Sequence, residues 1–182
     1  MMPNNKNFGE IEDILHGLEK APGLLASLVR GIPEAMRKKI RIQGKWSIHE
    51  HACHIVDVQP MLIRRFHQFK EEEKPVFQPY LPGQTAAVDH LPEMDLEERL
   101  STFAGLRQEL IHLVRGFSQE EWEKTGLHEE YEMYTPRILL RHVLMHDFFH
   151  MYRIEELWLT RDAYLHPPDS QADIGFNNQK PL

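Results

Sequence analysis

The chain has 182 residues, 41% hydrophobic and 27% charged, with a formal net charge of -7 and a single cysteine, Cys53. That length suits one domain with a core that needs no disulfide or metal staple, and the acidic balance disfavours nucleic acid as a partner. A lone cysteine excludes an intrachain disulfide and a cysteine-based zinc cluster, which fits a reducing compartment, with the cytoplasm as the expectation.

The N-terminus shows no basic segment followed by an apolar one, and no apolar run approaches the ~20 residues of a membrane span, so neither a targeting signal nor a membrane partner is expected. Histidine is the unusual count, 12 in all, and several cluster in two helical segments.

Apolar residues recur at helical spacing in four stretches, with no sustained strand-like alternation, and the chain reads as all-α. The first stretch covers 10–31, with Ile11, Ile14, Leu15, Leu18, Leu24, Leu25 and Leu28 on its apolar side. Pro22, followed by Gly23, is expected to kink or split it. The second opens at Ser47, an N-cap that Glu50 completes as a capping box, and runs to about 72 with a bend at Pro60. Residues 74–94 carry four prolines and form a long loop, able to travel the length of a helix. A connection that long permits helices two and three to run parallel.

Asp95 with Glu98 marks a second capping box, and the third helix extends to about 116. Ser118, Glu121 and Trp122 predict one short helical turn. The last long helix starts at Thr135-Pro136, an N-cap and N1 pair, and reaches about 160. Residues 1–166 are expected to form one bundle domain and 167–182, low in apolar residues, an extended tail.

On a helical wheel of the last stretch, His142, His146 and His150 lie one turn apart among Leu139, Val143, Ile154 and Leu157, facing inward, with Arg153 near the same stripe. An inward imidazole needs a hydrogen-bond partner or a metal, because burying it unsatisfied costs on the order of 1–3 kcal/mol. Histidines at i and i+4 aim their rings at one point above a helix, the spacing of many metal-ligand pairs. In the second helix, His51 and His54 share the side of Ile55, Val58, Met61 and Leu62, whereas His49 lies off it. Periodicity leaves His51 and His54 open as the third ligand. Cys53 points away from His54 and reads as a small buried apolar residue.

Gly44-Lys45-Trp46-Ser47 leading to His54 and Asp57, and Leu140-Arg141-His142 leading to His146-Asp147-Phe148-Phe149-His150 and Ile154, resemble the signatures of the DinB-like (YfiT-type) family of metal-binding helical bundles. The resemblance spans roughly residues 10–160. It implies a four-helix bundle, up-down-down-up, with a long crossover loop between helices two and three. It also implies a metal site of His54, His146 and His150, holding zinc or nickel with coordination positions left for water or substrate. Asp147 stands where the family commonly has glutamate, Arg153 where glutamine is usual and His51 where an apolar residue is expected, so Asp147 and Arg153 are the candidate catalytic or substrate-holding residues.

Three neutral imidazoles leave a dication's charge uncompensated, as in catalytic sites, where a bound water's pKa falls toward ~7 and a bound thiol is deprotonated. Relatives of this type include thiol S-transferases and thiol-dependent isomerases, and many form dimers. The reading is therefore a metal-dependent enzyme acting on a small electrophile with a low-molecular-weight thiol or water, as a homodimer. The alternative is a non-catalytic metal-binding stress or interaction protein. The string His146-Asp-Phe-Phe-His150 also resembles the HExxH metalloprotease motif, but aspartate is one methylene shorter than the glutamate base.

Overall fold

The computed structural model describes residues 5–81, 83 and 87–165. Helix α1, Asn5–Arg30, continues through Pro22 without a break. The expected split does not occur because the apolar face stays in phase on both sides: Leu18, Ala21 and Leu25 are all fully buried, and that packing offsets the lost backbone bond. Leu24, expected on this face, points to solvent at 52% exposure, and Ala21 and Val29 occupy the interior positions.

A short helix, α2 (Glu34–Arg37), leads to a turn at Gly44, whose φ of +74° favours glycine. The second long helix is two pieces, α3 (Ile48–Asp57) and α4 (Gln59–Glu71), separated at Val58 with Pro60 in the first turn of α4. Proline has no N–H to bond back across that point, so the expected bend is a break in the helix. The Ser47–Glu50 capping box forms in full: the Glu50 N–H donates to Ser47 Oγ at 3.2 Å and the Ser47 N–H donates to Glu50 Oε2 at 2.8 Å.

Helix α5 (Leu96–Arg115) starts at Asp95, which accepts from the Glu98 N–H, while the Glu98 carboxylate turns to Arg99 at 3.2 Å rather than completing a box. Helix α6 (Gln119–Glu123) is the short turn expected after Ser118, and α7 (Pro136–Leu159) begins at the Thr135 cap. Arg41 closes the far end of α7 by donating to the carbonyls of Leu157 and Thr160, the polar groups a helix C-terminus leaves open.

Two core clusters fix the helix directions. One holds Ile11 to Leu18 of α1, Leu62 to Phe69 of α4, Leu110 to Val114 of α5, and Leu139 to Val143 of α7. The other holds Ala21 to Val29 of α1, Ile48 to Val56 of α3, Leu96 to Phe103 of α5, and Met151 to Leu157 of α7. The second and third long helices therefore run parallel, and α1 and α7 run opposite to both, the up-down-down-up bundle. Ion pairs at the ends agree: Arg30 of α1 meets Glu97 of α5 at 2.6 Å, and Arg115 of α5 meets Glu19 of α1 at 2.9 Å.

Three short strands, absent from the sequence reading, accompany the bundle. Strand β1 (Val76–Phe77) pairs parallel with β2 (Gly126–His128), which pairs antiparallel with β3 (Tyr131–Tyr134). They are too short to show a period of two. At Gly126 an added Cβ would lie 2.5 Å from the Phe77 ring, so the strands approach only because that residue is glycine. The sheet ties the loop between α4 and α5 to the bundle. The boundary expected between 166 and 167, and the tail beyond it, lie outside the described residues.

Replacing Ser47 with alanine removes the cap of the helix that carries His51 and His54. The expected loss is about 1–2 kcal/mol of unfolding free energy, read from the urea midpoint at unchanged m-value.

Candidate metal centre

The site forms where α3 crosses the middle of α7. Leu139, Val143, Ile154 and Leu157 seat α7 in the core, and the same face carries His146 and His150. On α3, Ala52, Ile55 and Val56 are almost wholly buried and place His51 and His54 against them. One ring nitrogen each of His54, His146 and His150 lies within 4.8 Å of the other two. The Nε2 atoms of His54 and His146 face each other at 3.2 Å. His51, one turn before His54, meets His150 through the two Nδ1 atoms at 2.8 Å. His142 stands apart, packed on the Tyr131 ring at 5.2 Å.

Burial and neighbouring imidazoles both disfavour added positive charge here. Desolvation lowers His51 from its ordinary 6.5 to about 4, with Arg153 adding to the effect. His54 falls to about 3 through burial and then the proximity of His146 and His51, and burial followed by His146, His54 and His51 moves His150 the same way. These rings are neutral at pH 7, with lone pairs available. The Nδ1 atoms of His54 and His146 are buried without hydrogen-bond partners. A divalent transition-metal ion suits this donor set, since imidazole nitrogens match it better than the oxygen-seeking calcium or magnesium.

The histidines open onto a cavity of about 450 Å³, whose lining includes Gly44, Trp46, Tyr80, Phe149 and Arg153. Trp46 packs on His54 with ring centroids 4.5 Å apart and lies 5.9 Å from His150. Trp46 is thus both a packing residue and a cavity wall. Tyr80, 6.0 Å from His54, comes from the proline-rich loop and was missed, because no local pattern shows where a loop returns.

Arg153 lines the cavity and pairs with Glu156 on its own helix. Asp147 does not line it. Its carboxylate is fully buried and accepts from Arg107 Nη2 of α5 at 2.5 Å, the two side chains 0% and 1% exposed. Both are legible in retrospect: Asp147 shares the spacing of Leu140, Val143 and Ile154, and Arg107 that of Phe103, Leu110 and Val114. Cys53 is buried against His49, Sγ to Nε2 3.5 Å, and burial pushes its thiol up to about 12, so it is not a nucleophile.

Comparison with known proteins agrees with the bundle fold. The model of the DinB superfamily matches residues 17–154. Among solved structures, the chain is similar to YfiT from Bacillus subtilis, described as a probable metal-dependent hydrolase with an unusual four-helix bundle topology, with TM-score 0.73, 19% identity, and 86% of this chain and 88% of that one covered. It also resembles a mycothiol-dependent maleylpyruvate isomerase, with TM-score 0.61, 11% identity and 79% of this chain covered, and it spans 60% of that chain. No curated protein matches the sequence.

Two outcomes follow from the buried polar groups. Histidines neutral in the fold but free to protonate when unfolded favour unfolding in acid, so stability of the metal-free protein is full above about pH 6.5 and declines steadily toward pH 4. Thermal midpoints across that range read it. Arg107→Met alone, which strands the Asp147 charge, is expected to cost about 3–5 kcal/mol in chemical denaturation, most of it recovered in the double variant Arg107→Met/Asp147→Leu.

Proposed function

We propose that this chain, which belongs to the DinB superfamily, is a metal-dependent enzyme that activates a thiol or a water for transfer to, or hydrolysis of, a small electrophilic substrate. The observation that carries this reading is the convergence of three imidazoles, His54, His146 and His150, on the wall of an open cavity. A structural site closes over its ion, whereas this one faces a space of about 450 Å³, ample for a small molecule. That openness weighs against a purely structural metal. Zinc or nickel is the ion the donor set favours, and when bound it supplies Lewis acidity and deprotonates water or a thiol near neutral pH.

The chain's own residues do the rest. His54, His146 and His150 hold the ion while adding no charge of their own. Trp46, Tyr80 and Phe149 wall the space with aromatic surface, which excludes water from the reacting atoms and accepts an apolar substrate body. Arg153 sits at the same wall, where a swing away from Glu156 lets it bind a substrate carboxylate. Asp147 is paired with Arg107 through Oδ2, and its Oδ1 lies 3.9 Å from His146 Nδ1, behind the cavity wall. The description of YfiT supports water as the activated species, and that of the isomerase supports a thiol.

No described helix is long and apolar enough to cross a membrane. The single cysteine supports a cytoplasmic location as part of this proposal. Met145, Phe148, Phe149 and Tyr152 form an exposed apolar stripe on α7, which supports a homodimer.

Purified protein is expected to hold about one zinc or nickel ion per chain, and His54→Ala, His146→Ala and His150→Ala each to lose it, by elemental analysis. Near-stoichiometric metal in all three variants would refute the ligand set. Chelation is expected to leave the helical circular dichroism intact while abolishing turnover of a fluorogenic electrophile with a panel of cellular thiols or with water. Melting on chelation, with no turnover beforehand, would point to a non-catalytic metal protein.

A further inference from the structure

We propose that His51 is a positioning residue: it accepts a hydrogen bond from His150 Nδ1–H and so holds His150 in the tautomer whose Nε2 lone pair faces the metal centre. This rests on the metal reading above. The two Nδ1 atoms are 2.8 Å apart, and both rings are buried, at 7% and 6% exposure. Between two neutral imidazoles at that distance one nitrogen must carry the proton and the other the lone pair.

The rest of the site decides which. His54 and His146 face each other through Nε2, so the point where the ligands meet lies at the Nε2 ends of those rings. His150 has its Nδ1 engaged by His51, and its Nε2 is the atom left to complete the set. A ring that ligates through Nε2 carries its proton on Nδ1, and that proton points at His51. The reverse sharing would put the proton on His150 Nε2 and remove the third ligand.

His51 is well placed to hold this orientation. It lies on the capped helix that also supplies His54, and the edge of Trp46 packs on its ring at 5.4 Å and 72°. His150 is also the one member of the set whose Nδ1 is hydrogen-bonded among the described residues: His54 Nδ1 has no hydrogen-bond partner, and His146 Nδ1 has only the Asp147 carboxylate at 3.9 Å, beyond hydrogen-bond distance. A ligating histidine normally has its second nitrogen oriented by a carboxylate or carbonyl. Here another histidine does it. Accepting at Nδ1 places the His51 proton on Nε2, so His51 brings to the cavity it lines a hydrogen-bond donor that no aliphatic side chain at this position would provide.

The test has two readouts. In the metal-free full-length protein at pH 7.5, long-range ¹H–¹⁵N correlation spectra of the imidazoles are expected to show His150 protonated at Nδ1 and His51 at Nε2. His150 protonated at Nε2 would overturn the proposal. Zinc affinity, measured by competition with a chromophoric chelator, is expected to fall about 10- to 100-fold in His51→Leu and to return to within a few-fold of wild type in His51→Gln, whose amide oxygen accepts the same proton. Unchanged affinity in His51→Leu, or an equal loss in both variants, would overturn it. If wild type binds neither zinc nor nickel, the metal reading fails, while the metal-free spectra still decide the His51–His150 bond. Those spectra need no variant and hold even if His51→Leu fails to fold.

Discussion

The packing of α3 across the middle of α7 governs the rest of the molecule. It presses four imidazoles together at the seam between two apolar clusters, with Val58 and Val143 on one side and Ile55, Val56, Met151 and Ile154 on the other. His51, His54 and His150 are buried there, and desolvation favours their neutral forms, while one side of the group stays open to the cavity. A dense apolar core alone would be easier to fold. Placing polar rings at the seam costs stability and leaves nitrogen lone pairs aimed at a common point.

The break at Val58 belongs to the same constraint. It lets α3 follow α7 through the site while α4 packs with the ends of α5 and α1 in the other cluster. Two further devices fix the surroundings. Arg41, bonded to the last carbonyls of α7, anchors the segment that carries Gly44 and Trp46. The three-stranded sheet holds the loop that brings Tyr80 over His54. Neither Arg41 nor the sheet lines the cavity, yet they hold the segments that carry Trp46 and Tyr80 to its wall.

Behind the site, Arg107 and Asp147 join α5 to α7 through the bundle interior. A buried ion pair is expensive to desolvate, and among the described residues Arg107 Nε and Nη1 and Asp147 Oδ1 have no hydrogen-bond partner. The pair sets the rotation of α7 beside His146 by tying the next residue to a fixed cation. The aspartate next to a candidate ligand is thereby held by Arg107 through Oδ2, with Oδ1 3.9 Å from His146 Nδ1. Of His51, Asp147 and Arg153, the three positions that the resemblance set apart, His51 and Arg153 line the cavity.

Much of this was local enough to read in the sequence. Capping at Ser47, Ser118 and Thr135 depends on residues three apart, and the inward face of α7 on a repeat of three and four, so helix limits and the His146–His150 pair were legible without tertiary information. The choice between His51 and His54 was not, because both lie on one face of α3; the structure brings His54 Nε2 to His146 and turns His51 to His150. Nor was the fate of Asp147, since an inward carboxylate is explained only by a cation on another helix. Pro22 shows the same limit: its local preference is to break a helix, and the packing of Leu18, Ala21 and Leu25 overrides it. What the sequence determined by itself was short-range periodicity and capping. What tertiary structure decided was pairing across helices and loops, where the partner lies some forty to a hundred residues away and no local pattern encodes the meeting.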